Sequence, residues 1–350
     1  MLKRRKTRLI RIGDMPVGGG TPVSIQSMTS TPTKDIKSTL DEIKRLAIAG
    51  CDIVRVGVPD MESAVAIRDI KRESPLPVVA DIHFDYKLAL ESIKSGADGL
   101  RINPGNIKKA EYIRDIADAC KDLCIPIRVG VNSGSLDKSL SDNKPVAVAM
   151  VESALGHIQI LEELDFFDIK VSLKSSDVNV MIEANRLFAE TRDYPIHLGV
   201  TEAGVDTQAI VKNSIGIGVL LSEGIGDTLR VSITGDPVIE VEVGKLILRT
   251  LGLRREGVEI ISCPTCARKE FDVESVVREF DKMSRNVKDY VKVAIMGCVV
   301  NGPGEAREAD FGVAVGKNGA VLFRKGEVVK KITKDDILKV LLEELKVYNK

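Results

Sequence analysis

Three cysteines in the last quarter of the chain have a spacing that is typical of metal and iron–sulfur sites. Cys263 and Cys266 form a C-x₂-C pair, and Cys298 follows in a segment rich in glycine and proline. Four cysteines would close such a site and make it structural, whereas three thiolates leave one position for another ligand, a water or a substrate. The missing fourth cysteine therefore indicates a site that takes part in chemistry.

The residues around this motif indicate which ligand completes it. The histidines His83, His157 and His197 all lie in the earlier part of the chain, which disfavours a zinc site of three cysteines and one histidine. The nearest oxygen ligand is Glu305, in the segment N-G-P-G-E. A carboxylate is a hard and labile ligand beside three soft thiolates, and a substrate oxygen could displace it. These residues favour an iron–sulfur cluster with one exchangeable ligand, and structural zinc is the alternative.

A second group of polar side chains lies within short apolar segments of the preceding part of the chain. These side chains fall at every second position, and the positions between them are Val, Ile or Leu almost throughout. A period of two places them on one face of each predicted strand. The candidate residues on this face are Arg55, Asp81, His83, Arg101, Asn103, Arg128, Asn132, Lys170, Lys174, Arg230 and Ser232.

This polar face predicts a site for a polyanion. Buried cations are costly unless an anion neutralises them, and among these segments the sequence offers only Asp81 and Glu202 as nearby anions. Arginine and lysine in such numbers match more than one phosphate group, or a diphosphate. The alternative is an internal network of salt bridges. Glu202, at the end of the seventh strand, is a candidate general acid, or else it pairs with a neighbouring cation.

The order of the elements indicates the architecture. Eight apolar segments, from Val23–Thr29 to Thr228–Pro237 with Pro195–Gly204 as the seventh, alternate with helix-like stretches. This pattern predicts a (β/α)₈ TIM barrel over residues 1–253, with a doubly wound sheet as the alternative. The polar strand faces then point into the barrel, near the carboxyl ends of the strands. The sequence pattern of residues 254–350 predicts a small α+β domain that carries the three cysteines.

Composition excludes several classes of function. The formal net charge is zero and there is no tryptophan, so neither nucleic-acid binding nor a membrane-surface role is indicated. No apolar run is long enough for a transmembrane helix, and no secretory signal is evident. Six cysteines in such a chain indicate the reducing cytoplasm. We expect Cys51, Cys120 and Cys124 to be buried in apolar surroundings.

The predicted chain path also suggests an assembly. The last helix of a barrel returns from the active-site face to the opposite face, and the connector that follows it here is short. The cysteine domain therefore starts far from the pocket of its own barrel. A head-to-tail homodimer, in which each cysteine domain caps the partner's barrel, would bring the two sites together.

The sequence motifs resemble those of one family over essentially the whole chain. The segments C-P-T-C-A-R and M-G-C-V-V-N-G-P-G-E-A, with barrel segments such as R-V-G-V-P, A-D-I-H-F, R-I-N-P-G-N and G-V-T-E-A-G, are similar to those of the 4-hydroxy-3-methylbut-2-enyl diphosphate synthases. These are iron–sulfur enzymes of the methylerythritol phosphate route to isoprenoids. The chain resembles their two-domain bacterial form, because no large insertion separates barrel and cysteine domain.

The resemblance implies a reaction and roles for the residues. It implies reductive ring opening and dehydration of 2-C-methyl-D-erythritol 2,4-cyclodiphosphate, with two electrons from flavodoxin or ferredoxin. A [4Fe-4S] cluster would be held by Cys263, Cys266, Cys298 and the exchangeable Glu305, and Glu202 would supply a proton. The six arginines and lysines of the polar face would bind the cyclic diphosphate, helped by His83, Asn103, Asn132 and Ser232.

On the residues alone, two other functions stay open. A pterin-type transferase barrel would explain the cations and leave the cysteines structural. A zinc-stabilised ligand-binding protein would make the C-terminal domain a scaffold.

Overall fold

The computed structural model describes residues 3–83, 85–102, 107, 109–136, 144–264, 266–267, 270–298 and 306–348. The chain divides into two compact units, residues 1–254 and 255–350, which we call the barrel unit and the C-terminal unit. None of the described helices has the length and apolar character that a transmembrane span requires.

Eight parallel strands form the barrel, as the sequence predicts. In chain order they are β3 (Ser24–Met28), β4 (Ile53–Gly57), β5 (Val78–Ile82), β6 (Gly99–Ile102), β7 (Ile127–Asn132), β8 (Ile169–Lys174), β9 (His197–Leu198) and β10 (Thr228–Leu229). From β3 to β8 each strand pairs with the next, and β10 pairs with both β3 and β9. A parallel bridge between Val171 of β8 and Ile196, just before β9, joins the two ends of the sheet and closes the barrel.

Helices cover the outside of the barrel. They are α1 (Ile36–Ala49), α2 (Met61–Glu73), α3 (Tyr86–Lys94), α4 (Ala110–Asp122), α5 (Val146–Glu163), α6 (Val178–Thr191), α7 (Asp206–Ser222) and α8 (Pro237–Thr250). Aspartate side chains cap several of their amino ends by accepting backbone N–H groups, as Asp35 and Asp60 do. The apolar positions of the strands, such as Val54, Val56 and Val129, pack beneath these helices, so the alternate polar positions face the interior.

A β-hairpin that the sequence analysis did not predict seals the amino-terminal end of the barrel. It consists of β1 (Leu9–Ile12) and β2 (Met15–Gly18). Its side chains Ile10, Ile12 and Val17 pack against Ile53 and Val79, which are the first inward positions of β4 and β5. The barrel interior is therefore closed by apolar side chains at this end.

Three aspartates tie neighbouring strands together at the same end. Asp52, Asp98 and Asp227 each lie just before a strand. Each side chain accepts a backbone N–H from the preceding strand of the barrel, or from the residue just before that strand. Asp52 accepts from Ile25 at 2.8 Å, Asp98 from Val78 at 2.7 Å and Asp227 from Ile196 at 2.9 Å. Each carboxylate thus satisfies a backbone donor at a strand start, which would be costly to leave unpaired.

In its described residues, the C-terminal unit contains a five-stranded sheet and two α-helices. Its strands are β11 (Val258–Ser262), β12 (Val291–Met296), β13 (Phe311–Gly316), β14 (Gly319–Arg324) and β15 (Glu327–Ile332), and its helices are α9 (Val273–Ser284) and α10 (Ile337–Tyr348). The first three strands are parallel, and β14 and β15 complete an antiparallel meander. Phe280, Phe311 and Leu341 form part of its core. The sequence analysis missed β15, whose mostly exposed residues include several charges.

We expect the substitution Asp98→Ala to lower the free energy of unfolding of the barrel by about 1–3 kcal/mol, because it leaves the Val78 N–H without its acceptor. Urea unfolding followed by circular dichroism measures this change. Asp118→Ala, at an exposed position of α4, is the matched control and should stay within about 0.5 kcal/mol of the parent. Equal effects of the two substitutions would show that the hydrogen bond contributes nothing.

Candidate active site

The polar strand positions come together inside the barrel. Strand pairing places Asp81 beside Arg101, Arg101 beside Arg128 and Arg128 beside Lys170. Every second residue of a parallel strand shares a face, so these four side chains line one continuous band of the interior. All are buried, with exposures of 3–5%.

Asp81 is the anionic centre of this band. It accepts a hydrogen bond from Arg101 Nη1 at 3.0 Å, and Arg55 Nε lies 3.6 Å from its other oxygen. The exposed His83 approaches it at 3.6 Å and also contacts Arg101. Burial alone would raise the pKa of Asp81, but the charge of Arg55, the hydrogen bond with His83 and then the charge of Arg101 hold this pKa well below its usual range. Asp81 therefore remains charged and fixes two guanidinium groups.

A second buried carboxylate, Glu240 of α8, holds Arg230. It accepts from Arg230 Nε at 3.2 Å and Nη2 at 3.3 Å, from Ser27 Oγ at 3.1 Å and from the Ile233 N–H at 3.1 Å. Glu240 is not among the residues predicted from the sequence, because the anions predicted there lie on or next to strands. One feature of the sequence could have indicated it, namely an acidic residue in the first turn of the predicted helix that follows the apolar segment with Arg230.

Other cations of the interior have no comparable partner. Arg128 Nη1 donates to Gln26 Oε1 at 3.2 Å. Burial, and then the charges of Arg55 and Arg101, lower the pKa of Arg128 well below its ordinary value, although the charge of Asp81 opposes them. Arg55, which Asp81 holds, also donates to Met28 Sδ at 3.0 Å, and burial lowers its pKa to about 10.

The two lysines of β8 lie at different depths. Lys170 is the second residue of the strand and pairs in register with Arg128, whereas Lys174 is the last residue and pairs with Asn132. A Cβ atom at Gly199 would lie 2.7 Å from Lys174 Nζ, so this glycine leaves room for the ammonium group. Burial, followed by the charges of Arg128 and Arg230, lowers the pKa of Lys174 well below its ordinary value.

The charge balance of the interior decides what it can bind. Of the described side chains, six cations (Arg55, Arg101, Arg128, Lys170, Lys174 and Arg230) share this space with the two carboxylates Asp81 and Glu240. Salt bridges within the barrel therefore neutralise some of these cations, and an internal salt-bridge network does not account for the others. The remaining positive charge, in a largely dry interior, favours a ligand with several negative charges.

Further candidates lie at the carboxyl-terminal end of the strands. Asn132 ends β7 and is half-buried, as is Ser232, whose N–H donates to Asn213 at 3.2 Å. Glu202 is exposed in the loop after β9, not at the end of a long strand, because β9 spans only two residues. Its φ of 52° is a left-handed conformation that is uncommon outside glycine and is often found at functional sites. Asn103 and Glu305 lie outside the described residues.

Two of the three motif cysteines follow neighbouring parallel strands. Cys263 comes directly after β11 and Cys298 shortly after β12, and the Gly297 N–H donates to Cys263 Sγ at 3.1 Å. Cys266 is exposed, and none of the six cysteines takes part in a disulfide bond. Within the described ranges, no three His, Cys, Asp or Glu side chains are assembled to hold a metal ion.

The remaining cysteines belong to the barrel unit. Cys51 and Cys120 are buried, and burial raises the pKa of each thiol to about 12, so neither is reactive. The expectation for Cys124 is wrong. This residue is exposed after α4 with a φ of 55°, because the chain turns there towards β7.

Two solved structures are similar to this chain in fold. Dihydropteroate synthase from Yersinia pestis aligns with a TM-score of 0.52 and 9% identity, over 70% of this chain and 98% of its own. The enzyme from Xanthomonas albilineans gives 0.51 and 13%, over 70% and 97%. At this identity the likeness concerns the fold alone.

Sequence comparison identifies the family. The 4-hydroxy-3-methylbut-2-en-1-yl diphosphate synthase (flavodoxin) of Thermodesulfovibrio yellowstonii is 55% identical over 99% of this chain and 100% of its own length. The protein of the same name from Clostridium perfringens is 54% identical over 98% and 99%. The GcpE TIM-barrel domain model matches residues 7–245, and the GcpE protein C-terminal domain model matches residues 259–347. With both domains present in this order, the chain belongs to the GcpE family.

Proposed function

We propose that this chain catalyses the reductive ring opening and dehydration of 2-C-methyl-D-erythritol 2,4-cyclodiphosphate to (E)-4-hydroxy-3-methylbut-2-enyl diphosphate. The observation that carries the proposal is the excess of buried cations over carboxylates inside the barrel. A cyclic diphosphate supplies compact negative charge that fits such an interior. The product is the compound in the names of the relatives that match this chain over its full length.

The barrel residues divide into those that are held in place and those that carry free charge. Asp81 orients Arg55 and Arg101, and Glu240 orients Arg230, so these guanidinium groups are positioned before the ligand arrives. Arg128, Lys170 and Lys174 would supply the positive charge that the diphosphate neutralises. Oriented guanidinium groups bind phosphate oxygens through paired hydrogen bonds, and each lysine adds a point charge. His83, Asn103, Asn132 and Ser232 would complete the contacts to the substrate.

Loss of water from the substrate requires a proton at the departing hydroxyl. We assign this proton to Glu202. Its carboxyl is exposed on the loop at the carboxyl-terminal end of the barrel, where catalytic residues of this fold lie. A carboxyl at this end of the barrel can act as the general acid for a hydroxyl of a substrate bound there.

The electrons would come through a [4Fe-4S] cluster held by Cys263, Cys266, Cys298 and Glu305. The residues present suit such a group: three unbridged thiols are available, and the thiol of Cys263 accepts a backbone hydrogen bond of the kind that tunes cluster thiolates. When bound, the cluster supplies one-electron transfer from reduced flavodoxin or ferredoxin. Six cysteines without a disulfide bond accord with a location in the reducing cytoplasm.

A head-to-tail homodimer would bring the cysteines of one chain to the barrel of the other. The last residue of the barrel unit, Arg254, forms hydrogen bonds of 2.8 and 3.2 Å with Asp52. Asp52 precedes β4 and binds the start of β3, so the chain leaves the barrel unit at its amino-terminal end. The candidate substrate residues open at the opposite end. Two-fold pairing of chains would close this separation.

Paired substitutions of barrel arginines test the proposed substrate site. We expect Arg128→Met to lower kcat/KM for the cyclic diphosphate by about 100-fold or more, and to leave the free energy of unfolding unchanged or raise it by about 1 kcal/mol, because an unbalanced buried charge is lost. Arg101→Met should reduce activity and also lower the free energy of unfolding by about 2 kcal/mol, because Asp81 loses a partner. Anaerobic turnover with reduced flavodoxin and urea unfolding measure the two quantities.

If Arg128→Met lowered the free energy of unfolding as much as Arg101→Met, the proposal would be contradicted, because Arg128 would then be neutralised within the fold. Unchanged turnover by both variants would remove the substrate site altogether.

Mixing two inactive variants tests the assembly. Cys298→Ser should lose bound iron, and Glu202→Gln should keep its iron and lose turnover. After joint dissociation and reassembly, we expect about a quarter of the parental activity, because half of the dimers are mixed and each holds one complete site. Cys124→Ser, on the exposed barrel thiol, is the control and should keep both iron and activity. If each chain used its own cluster, mixing would restore nothing.

A further inference from the structure

Met28, the last residue of β3, lies between two arginines of the proposed substrate site. In the sheet, β3 has β4 on one side and β10 on the other. Arg55 belongs to β4 and pairs in register with Met28, and Arg230 directly follows β10. Met28 is half-buried at the carboxyl-terminal end of the barrel, which is the end where ligands enter this fold.

The sulfur of Met28 contacts both guanidinium groups. Arg55 Nη2 donates to Met28 Sδ at 3.0 Å, and Arg230 Nη1 donates to the same atom at 3.8 Å. Each arginine turns its other nitrogens to a carboxylate. Arg55 Nε faces Asp81, and Arg230 Nε and Nη2 face Glu240. The two carboxylates therefore hold one side of each guanidinium group, and a single thioether holds the remaining nitrogens.

A neutral acceptor suits the place between two like charges. Burial is the main cause of the lowered pKa of Arg55, and the charge of Arg230 adds to it, so the two groups repel each other. A carboxylate between them would relieve the repulsion, but it would also occupy the donors that a phosphate group needs. A thioether sulfur is only a weak acceptor, so a phosphate oxygen can replace it at small cost.

We propose that Met28 is a positioning residue, whose sulfur directs Arg55 and Arg230 to one point of the pocket before the substrate arrives. On binding, oxygens of the diphosphate take over the N–H groups that the sulfur holds. This inference rests on the proposed function, which assigns both arginines to the diphosphate. Donors that are positioned in advance improve affinity, because less ordering remains to be done on binding. Loss of the sulfur should therefore raise KM and leave kcat nearly unchanged.

Two substitutions separate this role from packing. Met28→Leu keeps the apolar volume and removes the acceptor, whereas Met28→Gln has similar length and offers a neutral oxygen acceptor. We expect Met28→Leu to raise KM for the cyclic diphosphate about tenfold, because one positioned hydrogen-bonding group is lost, with kcat within about twofold of the parent. Met28→Gln should bring KM back to within about threefold of the parent. Anaerobic turnover with reduced flavodoxin measures both constants.

Met15→Leu, in the hairpin at the opposite end of the barrel, is the matched control and should keep both constants. If Met28 only fills space, the order of the variants reverses, since leucine packs as well as methionine and glutamine introduces a polar group. An unchanged KM in Met28→Leu, or no recovery of KM in Met28→Gln, would overturn the proposal.

Calorimetric titration of the holoenzyme with pyrophosphate measures the same contacts without turnover. We expect Met28→Leu to bind pyrophosphate about tenfold more weakly than the parent, and Met28→Gln to recover most of this loss. Circular dichroism confirms that each variant is folded. A parent that binds pyrophosphate but does not convert the cyclic diphosphate would refute the proposed function, and the affinities would still test Met28. Equal affinities of the parent and Met28→Leu would refute the positioning role.

Discussion

The interior of the barrel holds six basic side chains and, among the described residues, only two carboxylates that pair with them. Unbalanced charge in a space closed to water is costly, so a fold can keep it only where other contacts supply the stability. The apolar faces of the strands and the helices packed on them provide these contacts. Asp81 and Glu240 compensate the cations that they orient, and Arg128, Lys170 and Lys174 remain for the proposed ligand. Packing in the rest of the barrel supplies the stability that offsets the cost of this charge imbalance.

The two ends of the barrel serve this arrangement differently. At the amino-terminal end, the hairpin seals the interior with Ile10, Ile12 and Val17, and three aspartates satisfy backbone donors at strand starts. Water is excluded there, which strengthens every electrostatic interaction above it. At the carboxyl-terminal end, exposed residues such as His83 and Glu202 surround the opening. Binding and proton transfer are proposed at this open end, and the closed end fixes the charges.

Most of the fold could be predicted from the periodicity of the sequence. Alternation of polar and apolar residues at period two gave both the strands and their inward faces, because one face of each strand must pack under helices. The hairpin was not predicted, since its short strands resemble a basic, irregular terminus. Glu240 was missed because its contact with Arg230 joins a helix to a strand loop, and sequence spacing alone does not show that approach. Glu202 was expected at the end of a long strand, but the chain leaves the sheet after Leu198. The relation between the three cysteines and Glu305 rests on the family resemblance and is proposed, not described.

Proton uptake on ligand binding tests most directly whether the excess positive charge is reserved for a polyanion. Burial and neighbouring cations lower the pKa of Lys174 below its ordinary value of 10.5 in the free protein, and a bound diphosphate would raise it again. Between the lowered pKa and 10.5, binding should take up protons, and affinity should fall as the pH rises. Calorimetric titration of the holoenzyme with the cyclic diphosphate, in buffers of different ionisation enthalpy, counts these protons. We expect net uptake that decreases in Lys174→Met. Proton release, or an affinity that does not change with pH in this range, would contradict a pocket built from unbalanced cations.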